Sequence, residues 1–126
     1  MPARALVAIV DDDPSIRETT MDLLDSAGLD GATFASAEAF LASAQFPRVG
    51  CVVADMRMPG MSGLALHEQM TASGCAVPTI LVTAYPDEPA RARALAGGVV
   101  AYLTKPFTDS ELLGCIAAAL RPGIRT

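Results

Sequence analysis

The chain has 126 residues, a net charge of −5 and no run of basic residues, so we expect one compact domain that does not bind nucleic acid directly. Its hydrophobic share of 52% and charged share of 18% are typical of a globular protein and exclude a disordered one. The apolar run near the N-terminus is too short for a signal peptide or a membrane span. We therefore expect a cytoplasmic protein with no membrane partner.

Two residue types that often take part in catalysis or metal binding are not expected to do so here. Cys51, Cys75 and Cys115 are odd in number and each lies in an apolar stretch, which is typical of small core residues in a cytosolic protein. His67 lies in a helical pattern beside Glu68, where we expect a solvated surface side chain. No disulfide and no cysteine metal site is predicted, and His67 is not a phosphohistidine candidate.

Five short apolar runs predict β-strands. They are rich in Val, Ile and Leu without a two-residue alternation, which indicates strands that are covered on both faces of a parallel sheet. The predicted strands span residues 5–10, 32–36, 51–55, 79–83 and 99–103.

The segments between these runs predict five helices. Thr108 with Glu111 forms a capping-box pattern, Gly28 is a helix stop, and Pro122 ends the last helix near Leu120. The alternation of strands and helices predicts a doubly wound α/β domain with its ligand site at the carboxyl ends of the strands. The predicted N-caps are Asp13, Ser36, Ser62, Asp87 and Thr108.

The predicted strand ends carry ionisable and hydroxyl side chains. The first strand runs into the acidic triplet 11–13, the third ends at Asp55, the fourth at Thr83, and the fifth leads to Lys105, the only lysine. Clustered acids at the edge of a core repel one another unless a cation is near. Mg²⁺ prefers oxygen ligands, and a carboxylate beside Mg²⁺, a lysine and a hydroxyl can act as a nucleophile toward a phosphoryl group.

Four segments in this order resemble the receiver domain of bacterial two-component response regulators. The resemblance covers about residue 4 to residue 121 and implies the flavodoxin-like strand order 2-1-3-4-5. Within it, "MPGMSGLAL" and "TKPF" favour transcription regulators of the nitrogen-fixation type. The segments are "IVDDDPSIRE", "VVADMRMPGMSGLAL", "LVTAYPD" and "YLTKPF".

The resemblance implies a metal and phosphoacceptor site. Asp55 would accept the phosphoryl group and contribute to the Mg²⁺ site. Asp12 would bind Mg²⁺ directly and Asp11 largely through water, while the backbone carbonyl of Arg57 would complete the protein ligands. Asp13 is interpreted first as the cap of the first helix and only second as a site acid.

The resemblance also implies residues that read the phosphoryl group. Lys105 would pair with Asp55 at rest and with the phosphoryl group afterwards, and its peptide bond to Pro106 would be cis. Thr83 would donate its hydroxyl to the phosphoryl group, and Tyr102 would turn inward as Thr83 moves. Pro59 and Gly63 would shape the loop after the acceptor, where glycine tolerates unusual dihedral angles.

The implied partners are a sensor histidine kinase and a downstream output domain or protein. The output face would consist of the fourth helix, fifth strand and fifth helix, and a phosphorylation-linked homodimer through this face is an open expectation. We expect residues 1–126 to form a single receiver domain without an output domain, either as a stand-alone receiver or as part of a longer regulator.

Two alternative functions compete with this hypothesis. A pseudo-receiver would use the same fold as an interaction module without phosphorylation. A Mg²⁺-dependent phosphatase with an aspartate nucleophile usually needs a second aspartate two positions later. That position is Arg57, so we expect a signalling domain that catalyses only its own phosphorylation and dephosphorylation.

Overall fold

The computed structural model describes residues 6–43 and 48–120. Strands and helices alternate through both ranges, as the sequence predicts. The strands are β1 (Leu6–Val10), β2 (Asp30–Phe34), β3 (Val49–Asp55), β4 (Thr79–Thr83) and β5 (Ala101–Thr104). The helices are α1 (Pro14–Ser26), α2 (Ala37–Leu41), α3 (Gly63–Ala72), α4 (Glu88–Ala96) and α5 (Asp109–Leu120).

The five strands form one parallel sheet in the order β2-β1-β3-β4-β5. This confirms the predicted doubly wound fold and its strand order. Because β1 and β3 are adjacent at the centre, their carboxyl ends meet at the point where the strand order reverses. In such folds this switch point is where ligands bind.

The core has one apolar cluster on each face of the sheet. On β1, Ala8 and Val10 pack in the cluster that includes α2 and α3 residues, called the α3-side cluster, whereas Val7 and Ile9 pack in the cluster that includes α5 residues. All five residues of β1 and all five of β4 are buried. The absence of alternation in the apolar runs therefore reflects strands that are covered on both faces.

Three strand boundaries differ from the prediction. β3 begins at Val49 rather than at 51, because Val49 pairs with Leu6. β2 spans Asp30–Phe34 rather than 32–36, because Asp30 pairs with Leu6 and Ser36 already caps α2. β5 spans Ala101–Thr104 rather than 99–103, because the backbone N–H of Val99 still bonds to the last turn of α4. The predicted β1 residue Ala5 and the predicted helix-stop residue Pro122 lie outside the described residues.

Side-chain caps start most of the helices at the predicted residues. Asp13 accepts from the backbone N–H of Ser15, which supports its interpretation as the α1 cap. Ser36 and Ser62 cap α2 and α3 in the same way. Thr108 and Glu111 form the reciprocal capping box, whereas Asp87 occupies the cap position of α4 without a side-chain hydrogen bond.

The prediction of a solvated His67 is wrong. The side chain is buried, and its Nδ1 has no hydrogen-bond partner. Burial lowers the pKa of His67, and Glu68 opposes this only in part. The ring lies where α3 approaches the end of α4, since its Cε1 would lie 3.9 Å from a Cβ built on Gly97. Arg93 of α4 also joins α4 to α3, because it donates two 2.8 Å hydrogen bonds to the Glu68 carboxylate.

The cysteines are structural, as predicted. Cys51 is buried, Cys75 and Cys115 are half-buried against the core, and all three are free thiols. Burial raises the pKa of the Cys51 thiol to about 12, which keeps it protonated and unreactive. Along residues 6–43 and 48–120, no helix has the length and apolar character needed to span a membrane.

Candidate functional site

Three predicted site residues converge at the carboxyl edge of the sheet. The Lys105 Nζ lies 3.0 Å from Asp55 Oδ2 and 3.8 Å from Asp11 Oδ2. All three line a small cavity of about 20 Å³ beneath the edge. Two buried carboxylates thus share one ammonium group, and the group of three carries a net negative charge.

The Asp11 carboxylate carries much of the electrostatic cost of this arrangement. Its pKa is raised from 3.8 to about 6: burial is the main cause and the nearby Asp55 adds to it, whereas a hydrogen bond from the backbone N–H of Asp13 (2.9 Å) and the charge of Lys105 oppose the rise in part. A buried carboxylate whose ionised form is disfavoured is a good seat for a cation, since the cation supplies the missing positive charge.

The Asp55 side chain is held at both oxygens. Oδ2 accepts from Lys105, and Oδ1 accepts from the backbone N–H of Arg57 at 2.7 Å. Next to it, the backbone N–H of Met56 donates to the Val82 carbonyl at 2.8 Å, which ties the end of β3 to β4. Asp55 therefore has a fixed orientation at the end of its strand.

Gly63 has a different role from the one predicted. A Cβ built on Gly63 would lie 2.5 Å from the Asp55 carbonyl oxygen, so glycine allows α3 to begin directly against the end of β3. Its φ is not positive; the unusual dihedral angle in this loop belongs to Gly60, at +78°. The Lys105–Pro106 peptide bond is cis, as the resemblance implies.

The two predicted switch residues lie on the neighbouring strands. Thr83 is buried one position beyond Val82, the β4 partner of Asp55, and its Oγ1 accepts from the backbone N–H of Tyr85 at 3.0 Å. The hydroxyl proton remains for another acceptor. Tyr102 of β5 is half-buried, packs against the α3-side cluster, and its hydroxyl accepts from the backbone N–H of Asp87 at 3.4 Å.

Asp12 and the Arg57 side chain differ from the three converging residues because both are exposed. The Arg57 guanidinium stacks over the Tyr85 ring, with its Cζ 4.7 Å from the ring centroid. This cation–π contact joins the loop after β3 to the loop after β4. Sequence reasoning missed it; the only signal was that each residue lies two positions after a strand-end site residue.

The residues present fit a magnesium ion. In the part of the chain that the structure describes, no cluster of three or more His, Cys, Asp or Glu side chains has the geometry of a protein-only metal cage. Mg²⁺ needs no such cage, since it keeps several waters and is typically held by one or two carboxylates. Asp11 and Asp55 supply two buried carboxylates whose negative charge Lys105 does not balance.

Comparison with known proteins shows which family the chain belongs to. The family model described as the response regulator receiver domain matches residues 7–117. The chain belongs to the response regulator receiver domain family. It is thus a receiver domain of the kind found in two-component signalling systems, and the receiver fold expected from the sequence is confirmed.

Transcription regulators are among the relatives of this receiver domain. It is 38% identical over 117 residues to the response regulator protein TodT of Pseudomonas putida, covering 93% of this chain and 52% of TodT. It is 37% identical over 121 residues to the transcriptional regulatory protein FixJ of Bradyrhizobium diazoefficiens, covering 96% of this chain and 59% of FixJ. The chain spans about half the length of TodT and of FixJ.

Two solved structures show the same architecture. The crystal structure of FixJ-N superposes with a TM-score of 0.84 at 34% identity, covering 94% of this receiver domain and 95% of that chain. The response regulator StyR gives a TM-score of 0.86 at 44% identity, covering 94% of this chain and 60% of that chain. The prediction of a receiver portion related to nitrogen-fixation-type regulators is therefore confirmed.

Proposed function

We propose that this receiver domain is a switch that a sensor histidine kinase operates by transferring a phosphoryl group to Asp55 in a Mg²⁺-dependent reaction. The observation that carries the proposal is the shared ion pair of Lys105 with Asp55 and Asp11 at the switch point of the sheet. It combines an oriented carboxylate nucleophile, a cation that can follow the transferred charge, and a second buried carboxylate that needs a counterion.

The transfer requires little covalent chemistry from the protein. One Asp55 carboxylate oxygen attacks the phosphorus of the donor, a phosphohistidine or a small acyl phosphate, while the bond from phosphorus to the donor breaks. The bonding electron pair leaves with the donor's imidazole or acetate. Catalysis then depends on positioning and charge stabilisation, which the hydrogen bonds from Arg57 and Lys105 to Asp55 provide.

Asp11, Asp12, Asp55 and the backbone carbonyl of Arg57 would hold the magnesium ion. When bound, the ion neutralises charge on the transferring phosphoryl oxygens. The buried Asp11 favours binding of that cation most strongly, because its ionised form is disfavoured without one. Asp12 is exposed, so it can contribute its carboxylate without a further cost of burial.

We propose that Thr83 and Tyr102 convert the charge change into a conformational change. The Thr83 hydroxyl would donate to a phosphoryl oxygen and Lys105 would pair with another. Thr83 would then move toward Asp55, and Tyr102 would turn further inward, exchanging its contact with Asp87 for deeper burial. The result is a population shift between two states of one domain.

The proposed output face consists of α4, β5 and α5. Leu95 and Val100 are exposed apolar side chains on and just beyond α4, at 38% and 42% of their full exposure. Such surface apolar residues favour contact with an output domain or a second receiver. We propose transcription regulation as the output and a phosphorylation-linked homodimer as one way of reaching it, with residues 1–126 acting as the receiver portion.

Incubation with acetyl phosphate and Mg²⁺, followed by intact-protein mass measurement, tests the proposal. We expect a gain of one phosphoryl group that is lost when Mg²⁺ is chelated and is absent in Asp55→Asn. No gain at any Mg²⁺ concentration would favour a pseudo-receiver instead. Continuing turnover of a phosphate ester would contradict the proposal that the domain catalyses only its own phosphorylation and dephosphorylation.

A further inference from the structure

A carboxylate outside the proposed phosphoacceptor site holds the loop that leads away from it. Residues 56–62 connect β3 to α3, and the backbone N–H of Met61 in this loop donates to Glu38 Oε2 of α2 at 3.2 Å. The two residues are 23 positions apart in sequence. Glu38 itself is exposed, so its side chain does not contribute to the core.

The loop is shaped around this carboxylate. Gly60 has a φ of +78°, and a Cβ built there would lie 2.8 Å from Glu38 Oε2. The left-handed turn at Gly60 and the missing side chain together let the backbone of residues 60–61 approach the carboxylate. Because the turn needs both a left-handed backbone and a residue without a side chain, the backbone of the loop has a defined path at Gly60.

Glu38 is well placed to act as a fixed point. Its helix α2 is capped by Ser36, whose Oγ accepts from the backbone N–H of Ala39 at 3.0 Å. Ala37 and Phe40, on either side of Glu38 in sequence, are both fully buried in the α3-side core cluster. The carboxylate therefore projects from a short helix that is anchored in the core.

The other end of the loop is fixed at the proposed phosphoacceptor site. The Arg57 backbone N–H donates to Asp55 Oδ1, and Met58 is buried in the same core cluster as Phe40. Glu38 thus restrains the loop at Met61 while Asp55 restrains it at Arg57. The backbone carbonyl of Arg57, a proposed magnesium ligand, belongs to the segment between these two restraints.

We propose that Glu38 is a positioning residue for magnesium binding: its hydrogen bond to Met61 keeps the loop 56–62 in the arrangement that offers the Arg57 carbonyl beside Asp55. The proposal rests on the proposed function of the site. Glu38 acts through the backbone and is not itself a metal ligand. Removing a partner that orients a ligand commonly weakens metal affinity by about tenfold or more, and for this exposed bond we expect about three- to tenfold.

The test uses Glu38→Ala and Glu38→Gln, with Asp25→Ala as a matched control that removes an exposed carboxylate at the far end of α1. Hydrogen exchange of the Met61 and Arg57 amides is measured in the absence of Mg²⁺. The Mg²⁺ concentration for half-saturation is then measured from amide chemical shifts, without a phosphodonor. Glutamine can still accept from Met61, so it separates the hydrogen bond from the charge.

In Glu38→Ala we expect the Met61 amide hydrogen to exchange faster and the half-saturating Mg²⁺ concentration to rise about three- to tenfold. Glu38→Gln should restore most of both values, and Asp25→Ala should change neither. Unchanged exchange and affinity in Glu38→Ala, or a glutamine variant as impaired as alanine, would overturn the role of Glu38. Failure of the wild-type chain to bind Mg²⁺ would instead contradict the proposed function, and it would do so whatever the exchange data show.

Discussion

Lys105 Nζ lies 0.8 Å closer to Asp55 Oδ2 than to Asp11 Oδ2, at 3.0 Å against 3.8 Å. One ammonium thus forms a direct hydrogen bond with the proposed acceptor and only a looser ion pair with the neighbouring acid. The negative charge of Asp11 is therefore neutralised less completely by Lys105 than that of Asp55.

Without magnesium, Asp11 should make the domain less stable as the pH rises from about 4 to about 6. The folded pKa of Asp11 is raised from 3.8 to about 6, so the folded state binds the proton more tightly than the unfolded state. Its contribution is fully favourable below the unfolded pKa and is lost as the pH rises through the folded pKa, at a cost on the order of 2 kcal/mol.

Comparing Asp11→Asn with the wild type isolates this contribution from those of the other carboxylates. Urea unfolding at several pH values should show a stability difference that grows in favour of the variant between about pH 4 and pH 6. Added Mg²⁺ should stabilise the wild type more than the variant at pH 7. A difference that stays constant with pH would contradict the electrostatic role given to Asp11.

Lys105→Ala should retain phosphorylation by acetyl phosphate but respond to it more weakly. Without the ammonium, Asp55 can still attack the donor, but no cation on the loop after β5 pairs with the phosphoryl oxygens. Amide chemical shifts of Thr83 and Tyr102, measured with a beryllofluoride mimic, report the response. Full shift changes in Lys105→Ala would contradict the role proposed for Lys105.

Gly63→Ala should destabilise the domain by about 1–3 kcal/mol, because the new Cβ would meet the Asp55 backbone and force α3 away from β3. Gly114→Ala is the matched control, since a Cβ in that α5 position meets nothing within 4 Å. The control should be neutral or stabilising by up to about 1 kcal/mol. Equal effects of the two substitutions in urea unfolding would be evidence against the close approach of α3 to Asp55.

His67→Leu should fold with stability equal to or greater than that of the wild type, because it removes a buried nitrogen without a partner. Burial lowers the pKa of His67, so the folded state resists its protonation and the wild type loses stability as the pH falls below about 6.5. The leucine variant lacks this loss, and its advantage should grow on acidification. His67→Ala is the control for lost packing and should be less stable than His67→Leu.

Most of the fold could be predicted because its signals are local. Unbroken apolar runs predicted strands covered on both faces, and the hydroxyl and acidic caps at Asp13, Ser36 and Ser62 start helices as expected. The convergence of Asp55 and Lys105 was also predictable, since parallel strands bring their carboxyl ends to one edge. The start of β2 was predicted two residues too late because the pairing partner, rather than the apolar run, decides where this strand begins.

The features that sequence reasoning missed all depend on contacts between distant segments. His67 is buried because α3 packs against the glycine-rich end of α4, which no property of α3 itself indicates. The hydrogen bond from Met61 to Glu38 and the stacking of Arg57 on Tyr85 each join two loops or elements that are far apart in the chain. A pattern within one segment carries no information about such partners.

Chemical trapping of the acceptor tests the central claim most directly. Borohydride reduces an aspartyl phosphate to homoserine, so the chain is incubated with acetyl phosphate and Mg²⁺, reduced, digested and mapped by mass spectrometry. We predict homoserine at position 55, absent when Mg²⁺ is chelated and absent at Asp11, Asp12 and Asp13. Homoserine at one of those three acids instead of Asp55, or at none of the four, would contradict the account.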